Sequence, residues 1–332
     1  LEETIQVSIL VAARNEEANI ERCLRALAAL KYPTYQLEIL LGDDHSTDRT
    51  GTLAQAFIAD KPQFRYVRIS HQLPGLHGKA NVLAQLGQRA RGKYLLFCDA
   101  DIAVPPGWVE ALLGYFTPDT VGVVVGLTRI RPTSLLADFQ SIEWLLALGG
   151  MRLLSLLTIP TTGMGNNMAV TSEAYRAVGG YETLGFSIVE DYALYRAIIE
   201  RGYAFRQAYA PEVIAESEPV PTLPELLRQR KRWVKGAMQS QWFLRLNFLG
   251  AALFLPILML LLVWNPWLGT CLAAAHYLLL TATSTLGLIL LRQRDLGKTL
   301  PFFWFYFVIN STLMLLNYLR PSPTVWKGRE YV

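Results

Sequence analysis

The chain has 332 residues, 52% of them apolar and 17% charged, and a formal net charge of +4 at pH 7. That length accommodates one large α/β domain or two smaller units, and the small, mixed-sign charge argues against nucleic-acid binding. Cys23, Cys98 and Cys271 are too far apart for a disulfide framework or a thiolate metal site and fit a reduced compartment, while the scattered His45, His71, His77 and His276 offer no metal cluster.

In chain order, 7–13 is a short apolar run, and Ile20, Cys23, Leu24 and Leu27 recur at helical spacing within 15–30, so a strand followed by a helix is expected. Residues 37–41 repeat the strand signal and 50–58 the helix signal. Further buried strands are expected at 64–69, 94–98 and 121–125, with helices near 79–89 and 108–116. Such alternation implies right-handed crossovers and a mostly parallel α/β sheet flanked by helices, whose ligands bind beyond the carboxyl ends of the strands. Asp43-Asp44 and Asp99-Ala-Asp101 fall at those ends, after the second and fourth expected strands.

Asp138, Glu143 and Arg152 interrupt the apolar stretch 135–157, which favours a buried or membrane-surface helix over a span. In 223–246, Leu227, Val234, Met238 and Trp242 recur at helical spacing while Arg and Lys occupy other faces, the pattern of an interfacial helix. Three long apolar stretches follow, at 248–264, 267–291 and 300–319, each near the roughly 20 residues that cross a bilayer. The last two hold no Asp, Glu, Lys or Arg. An integral membrane protein is therefore expected, with an α/β domain over 1–221, an interfacial helix over 222–246 and a membrane region with a short basic tail over 247–332.

Arg228, Arg230, Lys231, Arg232 and Lys235 precede the first apolar stretch and favour the cytoplasmic side. Arg292, Arg294 and Lys298 fit a cytoplasmic loop, whereas Arg320, Lys327 and Arg329 favour the inside where three crossings put the tail outside. The chain starts at Leu1 with neither Met nor signal peptide, so a preceding segment, such as another membrane helix, is expected.

Several polar clusters admit both a structural and a chemical role. Asp99-Ala-Asp101 can be a solvated turn, or two hard carboxylates addressing one Mg²⁺ or Mn²⁺. In Gly42-Asp-Asp-His-Ser-Thr-Asp48, Ser46 or Asp48 suits helix capping, leaving Asp43 and Asp44 free to meet a base or ribose. Lys79 opens a helix where backbone amides favour anions. Glu190-Asp191 is either a dipole-favoured helix start or the setting of a general base. Gln229, Arg232 and Trp233 share one helical turn and suit a diphosphate and a stacked sugar, or else a lipid anchor. A serine hydrolase lacks its Gly-x-Ser-x-Gly elbow, and a transporter its paired intramembrane charges.

Taken in order, these motifs make the chain similar to the membrane-bound, inverting, GT-A fold glycosyltransferases of family two, the branch with ceramide glucosyltransferase and the hyaluronan, cellulose and poly-N-acetylglucosamine synthases. The resemblance runs from Val7 to about Trp233. It implies Glu16, Asp43, Asp44 and Lys79 at the donor, Asp99 and Asp101 at the metal, Asn167 (in Gly165-Asn-Asn167) and Glu190 on the acceptor side, and Asp191 as the base. Gln229-Arg-Lys-Arg-Trp233 matches Gln-x-x-Arg-Trp, which implies Gln229, Arg232 and Trp233 at the donor and Trp233 also at the acceptor. His45 stands where Gly is usual, Val189 replaces a common Thr, and no Phe-x-Val-Thr-x-Lys gating segment follows the membrane stretches.

The resemblance implies sugar transfer from a nucleotide sugar, UDP-linked, dependent on Mg²⁺ or Mn²⁺, at a bacterial inner membrane with the active domain on the cytoplasmic side. Only three apolar stretches point to a lipid or lipid-linked acceptor; a processive polysaccharide synthase and a non-catalytic nucleotide-sugar-binding partner are the alternatives.

Overall fold

The computed structural model describes residues 5–187, 189–238, 242–320, 324–326 and 329–331, without the side chains of 236, 237 and those beyond 320. Residues 239–241 of the expected interfacial helix, Ile188 beside Glu190-Asp191, and Lys327 of the basic tail lie outside the described residues. The chain forms two compact units, Leu1–Arg129 with Gly150–Glu218, and Ile130–Gly149 with Pro219–Val332.

The first unit opens with β1 (Val7–Ala13), α1 (Ile20–Ala28), β2 (Leu37–Asp43), α2 (Thr50–Ile58), β3 (Phe64–Arg68), α3 (Gly78–Arg89) and β4 (Tyr94–Asp99). It continues with β5 (Ile102–Ala103), α4 (Trp108–Leu113), β6 (Val121–Val125) and β7 (Leu127–Ile130). Helix α5 (Leu135–Leu156) leads through the unit boundary, and β8 (Asn167–Thr171), α6 (Ser172–Ala177), α7 (Gly180–Leu184), α8 (Glu190–Glu200), β9 (Ala204–Gln207) and β10 (Ile214–Ser217) complete the unit.

Seven strands form one sheet in the order β3-β2-β1-β4-β8-β6-β9. Pairings β1/β2, β1/β4, β2/β3 and β6/β9 are parallel, as the alternation predicts, whereas β8 runs antiparallel to both β4 and β6. The apolar runs form strands because both faces are covered: Ile9, Leu10, Val11, Ile39, Leu40, Leu96 and Phe97 are all buried. Register sets the functional rim. Ala12 pairs with Gly42 on one side and Asp99 on the other, and Ala13 pairs with Asp43, so both acidic clusters leave the sheet at its carboxyl edge. Two strand spacings, roughly 10 Å, separate them.

Gly42 lets α3 approach β2 closely, since a Cβ there would stand 2.4 Å from Val82 Cγ1. The expected helix over 15–30 begins later, at Ile20, because Asn15 takes φ 51° and turns the chain so that the Glu16 amide reaches Thr50 Oγ1 at 2.7 Å. His45, at the position usual for Gly, has φ 54°, a left-handed conformation that explains the usual preference.

The second unit holds residues 130–149, including most of α5, then α9 (Leu223–Met238), α10 (Trp242–Trp264), α11 (Pro266–Leu290), α12 (Leu300–Leu319), and a hairpin of β11 (Thr324–Trp326) and β12 (Arg329–Tyr331). Among the described residues, three helical stretches, Trp242–Trp264, Pro266–Leu290 and Arg294–Leu319, are long and apolar enough to cross a membrane, with mean hydropathies of 2.5, 1.5 and 1.5. Their exposed Leu260, Val263 and Trp267 would be costly against water. Polar side chains tie the bundle together: Thr312 Oγ1 donates to the Ala252 carbonyl and Asn317 Nδ2 to the Leu227 carbonyl, both at 2.8 Å.

Candidate active site

Lys79 lies in the first turn of α3, Asp99 ends β4, and Glu190 and Asp191 open α8, so three separate stretches bring their charges to one rim of the sheet. Lys79 Nζ stands 2.6 Å from Asp99 Oδ1 and 3.1 Å from Glu190 Oε1. Asp191 adjoins this pair. Its Oδ2 accepts from the Gly165 amide at 2.7 Å and its Oδ1 from the Tyr192 amide at 2.8 Å, which fixes the carboxylate plane. Gly165 itself sits so close that an added Cβ would meet Asp191 Cβ at 3.0 Å and Lys79 Nζ at 3.2 Å.

The electrostatics follow from three carboxylates sharing one half-buried ammonium. Burial pulls Lys79 down, but Asp99, Glu190 and Asp191 outweigh it and hold the ammonium above the ordinary lysine value. Burial pushes Glu190 up; Lys79 pulls it back and Asp191 pushes it up again, leaving it above the usual carboxylate range. Their position at the start of α8 also meets the positive end of that helix.

Along the same rim, Asp43 and Asp44 are buried at the end of β2. Asp43 Oδ2 accepts from Tyr66 Oη at 2.6 Å and Oδ1 from the Ser46 amide at 3.0 Å. Burial and the Asp43 carboxylate push the Tyr66 phenol up to about 12, so it stays a donor. Arg14 reaches the Asp44 carbonyl at 2.7 Å, and Glu16, also buried, accepts from Asn19 Nδ2 at 3.0 Å. The N-cap of α2 is Arg49, not the expected Ser46 or Asp48; Asp48, one residue before it, accepts from the Thr50 amide at 3.0 Å.

Asp101 lies two residues beyond Asp99, and Arg22 of α1 holds its carbonyl at 2.6 Å. Among the described residues no three His, Cys, Asp or Glu side chains gather as a metal centre. The two carboxylates nevertheless suit a hard divalent cation, which is commonly bound through one or two carboxylates and completed by substrate phosphates and water. The Asp99 side chain keeps 31% of its surface open for such a role.

One expectation is corrected. Asn167, expected to line the acceptor side, is fully buried at the start of β8. Its Nδ2 donates to the Leu127 and Val213 carbonyls at 2.5 and 2.9 Å, and its Oδ1 accepts from Trp108 Nε1 at 2.9 Å. Both amide hydrogens are spent on the fold, so the side chain has none to offer an acceptor.

Gln229, Arg232 and Trp233 belong to α9 in the second unit. Trp233 packs edge-on against Trp144 at 5.0 Å between ring centroids, and the Arg230 guanidinium lies 4.1 Å from the Trp233 ring centre. Sequence reasoning missed Tyr66, Arg22 and the double pairing of Lys79. The Gly165 amide, too, was not foreseen, although Gly165 stands in the Gly165-Asn-Asn167 motif.

A solved mannosyltransferase from Pyrobaculum calidifontis, in complex with GDP-Man and Mn²⁺, covers 95% of this chain over 88% of its own, with a TM-score of 0.54 at 19% identity, and shows a shared GT-A fold. Among curated proteins, the probable glycosyltransferase YdaM of Bacillus subtilis is 30% identical over 71% of this chain and 56% of its own length. The beta-monoglucosyldiacylglycerol synthase of a Synechocystis species is 30% identical over 70% and 48%. The poly-beta-1,6-N-acetyl-D-glucosamine synthase of Staphylococcus aureus is 31% identical over 69% and 54%. The chain thus spans about half the length of the curated relatives it matches. A family model matches residues 2–332, and the expected glycosyltransferase kinship holds, with twenty-one as the number of the matched family: the chain belongs to glycosyl transferase family 21.

Proposed function

We propose that the chain is a membrane-bound inverting glycosyltransferase that moves a sugar from a UDP-linked donor to a hydroxyl of a lipid or lipid-linked acceptor. The observation that carries this reading is Lys79 joining Asp99 to Glu190, with Asp191 held beside them by the Gly165 amide. A donor-side carboxylate and an acceptor-side base then share one rim of the sheet.

In this reading Glu16, Asp43 and Asp44 hold the nucleotide, with Tyr66 and the Ser46 amide orienting Asp43. Asp99 and Asp101 would hold Mg²⁺ or Mn²⁺, which supplies Lewis-acid stabilisation of the departing diphosphate. Lys79 contributes a fixed positive charge, and Gln229, Arg232 and Trp233 position diphosphate and acceptor. Asp191 takes the proton of the acceptor hydroxyl as that oxygen bonds to the anomeric carbon and the bond to the diphosphate breaks; a single displacement inverts the configuration. Glu190, paired with Lys79, shapes the acceptor side.

The three apolar helices and the basic α9 support attachment to the cytoplasmic face of a bacterial inner membrane. Similarity to a protein named beta-monoglucosyldiacylglycerol synthase supports the lipid acceptor. Similarity to a named polysaccharide synthase favours repeated addition as the second reading, and a ladder of product sizes would distinguish it.

The test is a screen of membranes carrying the full chain with UDP-glucose, UDP-galactose, UDP-N-acetylglucosamine and GDP-mannose, with Mn²⁺ or Mg²⁺ and added membrane lipids. Nucleoside diphosphate release with a labelled lipid product is expected from a UDP-sugar. No release from any donor, in a folded preparation, would overturn the proposal.

A further inference from the structure

Within the second unit, one buried carboxylate is shared by three helices. Glu143 of α5 accepts through Oε2 from Arg230 Nη2 at 2.9 Å and from Tyr306 Oη at 3.0 Å, and through Oε1 from Asn310 Nδ2 at 3.4 Å. Arg230 belongs to α9, while Tyr306 and Asn310 lie one turn apart on the apolar α12. The side chains of Glu143 and Arg230 are only 14% and 5% exposed. The neighbouring residue of α5, Trp144, packs on Trp233, which in turn carries the Arg230 guanidinium on its ring. Two consecutive residues of α5 therefore grip two residues of the Gln229–Trp233 turn.

Stability does not account for this arrangement. A buried ion pair costs as much in desolvation as it returns unless every polar atom is satisfied, and here Arg230 Nε and Asn310 Oδ1 are buried with no hydrogen-bond partner among the described residues. An apolar contact of the same volume would hold the helices as well. What the polar cluster adds is direction. Successive residues of a helix are about 100° apart, so fixing Arg230 and Trp233 fixes the rotation of Gln229 and Arg232 on the adjoining face. Gln140 and Val220, exchanging two hydrogen bonds at 2.9 and 3.2 Å, fix the approach to the same helix, and Lys231 Nζ, donating to the Arg320 carbonyl at 2.6 Å, ties it to the end of α12.

We infer that Glu143 is a positioning residue for sugar transfer: through Arg230 it sets the rotation of α9 against the membrane helix α12, and so the aim of Gln229, Arg232 and Trp233 at the donor. This rests on the donor role proposed for that triad.

The experiment compares Glu143→Gln, the double variant Glu143→Gln/Arg230→Met and Arg232→Ala in the full chain in lipid nanodiscs, reading melting temperature, donor KM and kcat. Glu143→Gln leaves a buried guanidinium unpaired and is expected to melt lower; the double variant removes both charges and is expected to melt within about 2 °C of the parent. Its donor KM is nevertheless expected to rise about tenfold, more than kcat falls. A double variant with restored melting and an unchanged donor KM would overturn the inference, because a merely structural pair is then replaceable. Should the double variant fail to fold, Glu143→Asp keeps the charge but retracts it by one methylene, and an unchanged donor KM there has the same consequence. If Arg232→Ala leaves donor KM untouched, the donor role of the triad fails; if it raises KM while the double variant does not, only the role of Glu143 fails.

Discussion

The Gly165 amide donates to Asp191 Oδ2 at 2.7 Å, and the same glycine leaves no room for a side chain between Asp191 and Lys79. The carboxylate is thereby aimed by the backbone instead of by another titratable group. Gly165→Ala is expected to push Asp191 aside by a few tenths of an ångström while the buried sheet remains intact. Transfer should fall roughly 10- to 100-fold through kcat, since small misplacements of reacting groups are that costly. Steady-state kinetics with a circular dichroism control checks this, and an unchanged kcat would remove Gly165 from the positioning of Asp191.

Lys79 neutralises a rim that otherwise gathers Asp99, Glu190 and Asp191. Lys79→Gln removes the central charge and is expected to cost about 1–3 kcal/mol, less than for a fully buried ion pair because the Lys79 and Asp99 side chains are 17% and 31% exposed. Adding Glu190→Gln should return part of that loss, because one of the uncompensated carboxylates is gone. Denaturant titration of the single and double variants in detergent reads both effects.

Asn167 is a fold residue. Asn167→Ala strands Trp108 Nε1 and the Leu127 and Val213 carbonyls in the interior, and is expected to cost about 3 kcal/mol or more. The acceptor KM of the protein that still folds should not move. A shifted acceptor KM with parental stability would restore Asn167 to the acceptor side.

Much of the sheet was legible because its strands are buried on both faces and so read as continuous apolar runs: β1 and β6 have the expected bounds, and β2 and β4 extend one or two residues further, into Asp43 and Asp99. The coincidence of acidic clusters with strand ends was readable for the same reason. Strand β8 was not. Asn-Met-Ala-Val-Thr is five residues long and begins on the last residue of the polar Gly165-Asn-Asn167 stretch, so nothing local distinguishes it from a loop, and its antiparallel direction depends on pairing with β4 and β6. The expected motifs gave Lys79, Asp99 and Glu190 separately, yet their common ion pairs join residues far apart in the chain and leave no periodic signal. Asn167 misled because its motif position says nothing about burial, and Tyr66 was silent because a tyrosine in a half-buried strand is ordinary.

The most direct test is Asp191→Asn, which keeps the shape of the side chain and an oxygen for one of its two amide contacts but cannot take a proton. Donor binding, followed by titration with the UDP-sugar, should match the parent, while nucleoside diphosphate release coupled to lipid product should fall by about 10²- to 10⁴-fold. Turnover close to the parental rate in that variant would contradict Asp191 as the base and, with it, the assignment of this rim as the site of sugar transfer.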